Sequence, residues 1–311
     1  MESTRLDRLV DERAINHRRE LRRAQRFNAL DAAAGNRWIG ETIAAGKPAA
    51  VGTLGAPACG VLAAHLGVRK FYKYTWAAPG YSEAKLPEHG VFPATDEVYW
   101  RFSELYLERL QLLDGYAVNV HHGESQALER ACPEVRRFDR RALEPYLFDA
   151  PWSAQLAGKR VLIVHPFEPS IRAQFARRTA LWPQRPEILP ACELDVARSP
   201  HGFARSGFND WFVMLQWFEQ RIAAIHQRWK FDVALVGCGL CGIPVAASVK
   251  KLGAVGIHVG ESLPTLFGIR TPNAEQRPEV KSFFNESWVT PQASELSPIA
   301  APAHQAMRQS S

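Results

Sequence analysis

The segment at residues 231–260 constrains the fold more than any other part of this chain. It reads FDVALVGCGLCGIPVAASVKKLGAVGIHVG, which is an apolar run, a glycine-rich turn, an alanine- and valine-rich stretch and a second apolar run. That order within about thirty residues is typical of a β-α-β unit. Because the two strands of such a unit run parallel and the helix covers one face of the sheet, the segment predicts an α/β fold.

Strand and helix patterns alternate along much of the remaining chain. Strands are predicted at residues 49–55, 115–120 and 160–164, and helices at residues 57–65, 95–113, 124–131, 169–181 and 210–229. Repeated alternation indicates a mostly parallel sheet with helices on both faces. The sequence therefore predicts a Rossmann-like α/β fold, preceded by a basic amphipathic helix at residues 5–33.

The predicted domain organisation has three parts. Residues 1–46 form an N-terminal helical extension, residues 47–295 form the Rossmann-like domain, and residues 296–311 form a disordered tail. Within the domain, prolines and glycines at residues 71–95 indicate a long ordered loop or a flexible lid, whereas residues 186–208 show no regular pattern.

The formal charge of +6 is concentrated in two arginine clusters. One lies at residues 13–26, and the other consists of Arg136, Arg137, Arg140 and Arg141. A solvated helix face is the favoured interpretation, while contact with an anionic membrane surface or a phosphorylated substrate stays open. Nucleic acid is not an expected partner, since aromatic and basic residues do not interleave as an RNA-binding sheet requires.

The sequence shows no sign of a secretory signal or a membrane span. The N-terminus has no apolar core, and no apolar run reaches the roughly 18 residues that a span needs. Five scattered cysteines do not form the pattern of a disulfide framework. We expect a cytoplasmic protein with at most peripheral membrane contact, and the N-terminal helix offers a surface for a homodimer.

Gly237, Gly239 and Gly242 form a G-x-G-x-x-G motif between a predicted strand and a predicted helix. Glycines at these positions allow a tight turn and let backbone N–H groups approach a diphosphate beside the positive N-terminus of the helix. Glu261 follows the next strand, where a dinucleotide-binding domain places its ribose-binding carboxylate. The alternative is that the glycines only allow close packing of strand against helix.

Two further strand ends carry residues that suit a binding site, because ligands of open α/β sheets bind at the carboxyl ends of the strands. The first is the turn with Gly52, Thr53 and Gly55, which fits contact with a phosphate or sugar as well as it fits packing alone. The second contains His165 and Glu168, which are candidates for acid–base chemistry or acceptor contacts. A structural hydrogen bond is the alternative role for His165.

Several stretches of the chain resemble a family of bacterial GT-D-fold glycosyltransferases, which is associated with cell-surface polysaccharide and glycoconjugate gene sets. These stretches run from about Val51 to Pro291 and include GVFPATDEVYWRFSELYLERL, PWSAQLAGKRVLIVHPFEPSI, the 231–260 segment, LFGIR and NESWVTP. The resemblance implies a Rossmann-like fold and sugar transfer from a nucleoside diphosphate donor, often with a divalent metal such as manganese or magnesium.

The chain departs from the pattern of that family in three places. It has no Asp-x-Glu, the motif described for metal binding, and Ala58 stands where relatives carry a glutamate. Gly260-Glu261 stands where relatives have two glycines, and the segment TPNAEQRPEVKSFF replaces one that contains glycine and tryptophan. A carboxylate at position 261 would repel a diphosphate unless it binds a ribose, a metal or the acceptor.

The leading hypothesis is a glycosyltransferase that moves a sugar from a nucleotide-sugar donor to an acceptor. Its predicted phosphate-, nucleoside- and sugar-contacting residues are Gly52, Thr53, Gly55, Gly237, Gly239, Gly242, His258, Gly260 and Ser262. Its candidate catalytic residues are His165, Glu168 and Glu261. Two alternatives stay open: an NAD(P)-dependent or otherwise diverged biosynthetic enzyme on the same scaffold, and a non-catalytic nucleotide-binding protein.

Overall fold

The computed structural model describes residues 31–67, 90–200 and 207–296, together with Arg18 and Arg22. Within these residues the chain forms one sheet of seven strands in the order β3-β2-β1-β7-β6-β4-β5. All of the paired neighbours run parallel. The strands are β1 Ala49–Gly52, β2 Gly115–Val118, β3 Arg136–Asp139, β4 Arg160–Val164, β5 Glu193–Ala197, β6 Val233–Val236 and β7 Val255–His258. The predicted Rossmann-like α/β fold is thus confirmed.

Helices connect the strands and cover both faces of the sheet. They are α1 Ala32–Ala45, α2 Ala56–His65, α3 Asp96–Leu110, α4 Glu124–Ala131, α5 Glu168–Ala176, α6 Arg178–Leu181, α7 Trp211–Trp229, α8 Gly242–Lys251, α9 Leu263–Leu266, α10 Pro272–Glu275 and α11 Pro278–Lys281. Short 3-10 turns lie between several of them, including Arg140–Leu143 after β3, Gly239–Cys241 before α8 and Gly260–Ser262 after β7. No helix among the described residues has both the length and the apolar character needed to cross a bilayer.

Alternating side chains of each strand supply two hydrophobic cores, one on each face of the sheet. On β4, Leu162 and Val164 enter one core, whereas Val161 and Ile163 enter the other. The first core packs against α2, α3, α4, α7 and α8, and the second against α1, α5, α6 and α9. Because neighbouring residues of a strand point to opposite faces, a strand buried on both sides needs a continuous apolar run, which is what VLIV and VALV supply.

Two strands lie where the sequence patterns predict none. The charged segment Arg136–Asp139, which we interpreted as part of a solvated helix face, is β3, and Glu193–Ala197, within the segment judged irregular, is β5. Both are edge strands of the sheet. An edge strand has one neighbour and keeps part of its surface in water, so it tolerates charged residues and loses the apolar signature of a central strand.

Several predicted boundaries are confirmed and others shift. Thr95 caps α3, since its Oγ1 accepts a hydrogen bond of 3.3 Å from the amide of Val98. The predicted helix at 169–181 is divided into α5 and α6. The residues at 272–281, predicted to be loop, include the short helices α10 and α11.

Parts of the sequence-based predictions lie outside the described residues. Of the basic helix predicted at residues 5–33, residues 5–30 lie outside the described part of the chain except for Arg18 and Arg22, which are helical and exposed. Of the suggested lid at residues 71–95, the structure describes residues 90–95, where Val91 and Phe92 are buried. Of the suggested tail at residues 296–311, it describes Leu296, which is also buried.

Candidate functional site

A cavity of about 790 Å³ opens at the carboxyl edge of the sheet. Most of the residues that line it follow the carboxyl ends of β1, β2, β3, β4, β6 and β7, and Tyr106 of α3, residues 271–273 and Leu296 complete the lining. Parallel strands place all of their carboxyl ends at one edge, and that edge is where open α/β sheets bind ligands. The volume lies within the range of about 300–1,000 Å³ that is typical of small-molecule sites.

The glycine loop between β6 and α8 presents its backbone to this cavity at Gly239. This residue has a φ of +57°, and no heavy atom lies within 4 Å of the place where its Cβ would be. The loop leads into α8 through Cys241, whose side chain makes no capping hydrogen bond. The first N–H groups of a helix have no partner within the helix, and they attract anions. In the 3-10 turn Gly239–Cys241, the amides of Cys241 and Gly242 already donate to the carbonyl oxygens of Cys238 and Gly239, so the backbone that the loop offers to the cavity is that of Gly239.

The other two glycines of the motif serve packing. A Cβ at Gly237 would lie 2.7 Å from Cδ2 of His165 and 2.9 Å from the carbonyl oxygen of Gly260. A Cβ at Gly242 would lie 2.1 Å from Nε2 of His258. Gly242 does not line the cavity. The packing interpretation therefore applies at Gly237 and Gly242, although Gly237 also lines the cavity, whereas Gly239 is open to a ligand and diphosphate binding there stays a prediction.

Cys238 and Cys241 of the same loop are free thiols. Burial raises the pKa of Cys241 to about 12 and the pKa of Cys238 well above its ordinary value. The thiolate is the reactive form of cysteine, and it is suppressed at both positions. These side chains therefore act as small apolar groups in the core under the loop.

His258, at the end of β7, is a buried neutral imidazole. The residue is 7% exposed and lines the cavity. Burial lowers the pKa of its ring to about 4, and a hydrogen bond with the backbone of Thr53 acts weakly in the opposite direction. Its Nδ1 is buried and finds no hydrogen-bond partner among the described residues. An unpaired buried polar atom is costly, so this nitrogen lowers the stability of the fold.

His165, at the end of β4, is held in one tautomer. Its Nδ1 accepts a hydrogen bond of 3.0 Å from the amide of Phe167, which assigns the proton of the neutral ring to Nε2. The residue is buried and lines the cavity. In this state the imidazole is a hydrogen-bond donor through Nε2 rather than a base.

Glu168, the third residue after His165, does not line the cavity. Its carboxylate pairs with Arg172 at 3.1 Å, one turn along α5, and Arg172 also bonds to Asp195 at 2.6 Å. The neighbouring Ser170 donates its amide to the buried carboxylate of Glu295 at 2.9 Å. These contacts organise the start of α5, so the geometry does not bring Glu168 to the other predicted catalytic residues.

Glu261 lines the cavity, and Ser262 lies behind its wall. The Glu261 carboxylate is 66% exposed and lies 3.5 Å from Nη2 of Arg140. The hydroxyl of Ser262 is buried and donates to Oε1 of Glu144 at 2.9 Å. Gly260, between β7 and these residues, has a φ of +72° and also lines the cavity.

The loops after β1 and β2 are joined into one polar wall. The side-chain amide of Asn119 donates to Oγ1 of Thr53 at 3.1 Å and to the carbonyl oxygen of Leu54 at 3.0 Å. Tyr116 links the amide of Leu54, at 3.0 Å, to the buried carboxylate of Glu124, at 2.6 Å. Thr53 and Asn119 thus present polar atoms to the cavity from a fixed framework.

Two residues of the predicted turn after β1 line the cavity, and a third packs against α8. Thr53 and Gly55 line the cavity. Gly52 does not, and a Cβ there would lie 3.2 Å from Cγ1 of Ile243.

Sequence reasoning missed three groups of lining residues. Asn119 and His121 follow β2, so applying the strand-end argument to that strand would have found them. Arg140 was named only as a member of the second arginine cluster and was not placed at the site, because it follows β3, which has no recognisable strand pattern. Leu296 and residues 271–273 reach the cavity only through the tertiary fold, and no local signal marks them.

The described lining residues do not form a carboxylate cage for a divalent metal. Glu261 is the only Asp or Glu among them, and it pairs with Arg140. Over the described residues as a whole, no group of three or more His, Cys, Asp and Glu side chains is placed to hold a metal ion. Hard cations such as Mg²⁺ are usually bound through carboxylates, so we derive no step through a metal, and the manganese or magnesium requirement stays a prediction.

Comparisons with protein-family models, with curated proteins and with solved structures gave no significant match to this chain. The resemblance to GT-D-fold glycosyltransferases therefore rests on the quoted stretches alone and stays a prediction.

Proposed function

We propose that this protein is a glycosyltransferase that binds the diphosphate of a nucleotide sugar at the glycine loop and transfers the sugar to an acceptor in the same cavity. The observation that carries the proposal is the open backbone at Gly239, in the turn that leads into α8. A glycine with positive φ and free space around it lets a phosphate reach the main chain. The resemblance to GT-D-fold enzymes agrees with this choice of donor.

The start of α8 suits the chemistry of such a transfer. As the bond from the sugar to the diphosphate breaks, negative charge develops on the leaving phosphate. Fixed N–H dipoles aimed at that charge stabilise the transition state more than the ground state. Because α8 is packed on both neighbouring strands, β1 and β7, those dipoles would not need to reorient during the reaction.

We assign the side chains at the cavity according to their hydrogen-bonding state. His165 donates through Nε2 to a phosphate or sugar oxygen, and His258 borders the same ligand. Glu261 is the carboxylate that accepts the proton of the acceptor hydroxyl. Glu168 has no part in this assignment.

The experiment that tests the proposal has two stages. Thermal shifts with UDP, GDP, CMP and TDP-sugars, each with and without manganese, identify a donor, since a ligand that binds only the folded state raises the melting temperature. A labelled form of that donor is then incubated with candidate acceptors, and transfer or hydrolysis is followed by mass spectrometry. Turnover of one donor supports the proposal, whereas tight binding without turnover favours a non-catalytic nucleotide-binding protein.

A second candidate function is a dinucleotide-dependent oxidoreductase. The observation that favours it is the position of Glu261, which follows the strand after α8 and is exposed on the cavity wall. Dinucleotide-binding domains use a carboxylate at this level to bind the ribose hydroxyls. Titration of NADH and NADPH, followed by nicotinamide fluorescence, separates the two candidates, because a glycosyltransferase gives no saturable change.

A further inference from the structure

A buried cluster of charged residues lies behind the part of the cavity wall formed by Arg140 and Glu261. At its centre is Glu144, which is 0% exposed. Arg277 holds this carboxylate with two parallel hydrogen bonds of 2.8 and 2.7 Å. Ser262 donates to it at 2.9 Å, and Arg140 donates to it from the cavity side. A buried carboxylate with a bidentate arginine and two more donors is fully satisfied.

Arg140 shares the one buried carboxylate of this cluster, Glu144, with Arg277. Arg277 also pairs with Glu279 at 2.9 Å, a carboxylate that is 53% exposed. The other carboxylate near Arg140 is Glu261, at 3.5 Å. A pair that is this long and this exposed contributes little to stability. Arg140 is thus held firmly by Glu144 and weakly by Glu261.

The guanidinium of Arg140 also has donors to spare. It contains five N–H groups in a fixed plane. Within the described part of the chain, Nη1 bonds to Glu144 and Nη2 makes two contacts of 3.5 Å, to Glu261 and Ser262. Its side chain is 24% exposed and lines the same cavity as Gly239. Arginine in this state is suited to bidentate binding of a phosphate or carboxylate.

We infer that Arg140 binds a second anionic group of the ligand, a phosphate or a carboxylate, and that this group displaces the carboxylate of Glu261. The inference rests on the proposed function in placing the first anionic group at the glycine loop. Displacement frees Glu261 to face the rest of the cavity. The pair Arg140–Glu261 then favours ligands that carry the second anionic group. A ligand without that group gains no contact with Arg140 to replace the one that Arg140 makes with Glu261.

The test compares Arg140→Ala and Arg140→Lys with a matched control, Arg141→Ala. Arg141 is the next residue, carries the same charge, is 64% exposed and pairs with Asp139 outside the cavity lining. Affinities are measured by calorimetry for two probe pairs, UDP with UTP and UDP-glucose with UDP-glucuronate. Each pair differs by one anionic group, so the first detects a phosphate at Arg140 and the second a carboxylate.

For one of the two pairs we expect Arg140→Ala to weaken binding of the more anionic member by tenfold or more, and of the other member by less than threefold. Arg140→Lys should lose less, because it keeps the charge and loses the planar fork. Arg141→Ala should change both members of each pair equally. The inference is overturned if Arg140→Ala leaves both ratios unchanged, or if Arg141→Ala changes a ratio as much.

Glu261→Gln tests the displacement step separately. Removing the competing carboxylate should tighten binding of the more anionic probe several-fold, with a larger effect at low ionic strength. Unchanged or weaker binding would overturn the displacement. Melting temperatures of all variants are recorded, and Arg140→Lys decides the matter if Arg140→Ala does not fold.

Inorganic pyrophosphate separates this inference from the proposed function. If wild-type protein binds no nucleotide, the proposed function fails, and pyrophosphate binding to the same variants still tests Arg140. Pyrophosphate that binds wild-type protein and loses affinity in Arg140→Ala, with Arg141→Ala unaffected, supports the anion site. The inference is overturned if pyrophosphate binds neither wild-type protein nor Arg140→Ala, or if it binds the two equally well.

Discussion

The imidazole of His258 occupies the space that a side chain at position 242 would need. A Cβ at Gly242 would come within 2.1 Å of Nε2 and 2.2 Å of Cδ2 of that ring. The end of β7 is thereby held against the start of α8, and a buried ring nitrogen lies beside the cavity. The last glycine of the motif thus positions a polar side chain, while Gly239 presents the main chain.

Gly242→Ala should destabilise the protein by about 1–3 kcal/mol, because the added methyl forces the His258 ring or α8 to move. Urea unfolding measures the change. Gly40→Ala is the matched control: a Cβ there would lie 3.6 Å from the Cα of Trp152, an ordinary contact, and Gly40 lies within α1. The control should leave stability unchanged or raise it by up to about 1 kcal/mol. Equal stability of the two variants would contradict the packing described.

His258 should make the protein less stable in mild acid. Because the pKa of the folded ring is lowered to about 4 from 6.5, the unfolded chain binds a proton between these values and the folded chain does not. The free energy of unfolding therefore falls as the pH drops from 6.5 towards 4, by about 1.4 kcal/mol per pH unit. Below pH 4 this contribution stops changing.

His258→Asn isolates that contribution from those of the other histidines. The variant removes the titrating ring and keeps a polar group, so any loss of stability that it shows in acid comes from other titrating groups. Urea unfolding at pH 7.5 and pH 5 should show that wild-type protein loses about 2 kcal/mol more than the variant between the two conditions. Parallel losses would mean that the ring titrates normally in the folded state.

Glu144→Gln should cost about 3–5 kcal/mol, because it leaves two arginines in a buried cluster without their carboxylate. Glu279→Gln removes a carboxylate from the same Arg277, but at an exposed position, and should cost less than about 1 kcal/mol. Chemical denaturation of both variants provides the comparison. A cost for Glu144→Gln as small as that for Glu279→Gln would show that the cluster does not depend on the charge of Glu144.

The centre of the sheet could be predicted because its signals are local. The apolar runs of β4 and β6 and the glycine turn before α8 each specify a strand or a turn within a few residues. The edge strands β3 and β5 were not predicted, because a strand with one free edge tolerates charged residues such as Arg136 and Glu193. For the same reason Arg140 was not placed at the site, since a residue can be assigned to a strand end only after the strand is recognised.

The candidate site could be predicted only in part, for a related reason. Strand-end reasoning brings His165, His258 and Gly239 to one edge, and the structure places all three on the cavity. The pairing of Arg140 with Glu261 joins the ends of β3 and β7, which are far apart in the sequence and in the sheet order. The position of Glu168 depends on the start of α5, which turns its carboxylate to Arg172 and away from the cavity.

The account depends most on the claim that the backbone at Gly239 binds the diphosphate, and one comparison of affinities tests it. Gly239→Ala and Gly46→Ala both add a methyl at a positive φ, +57° and +63°, with free space around it, so each should cost about 1–2 kcal/mol of stability. Of the two glycines, Gly239 lines the cavity and Gly46 does not. Calorimetry with the donor identified by thermal shift should show at least tenfold weaker binding for Gly239→Ala and unchanged binding for Gly46→Ala. Equal affinities in the two variants would contradict the account.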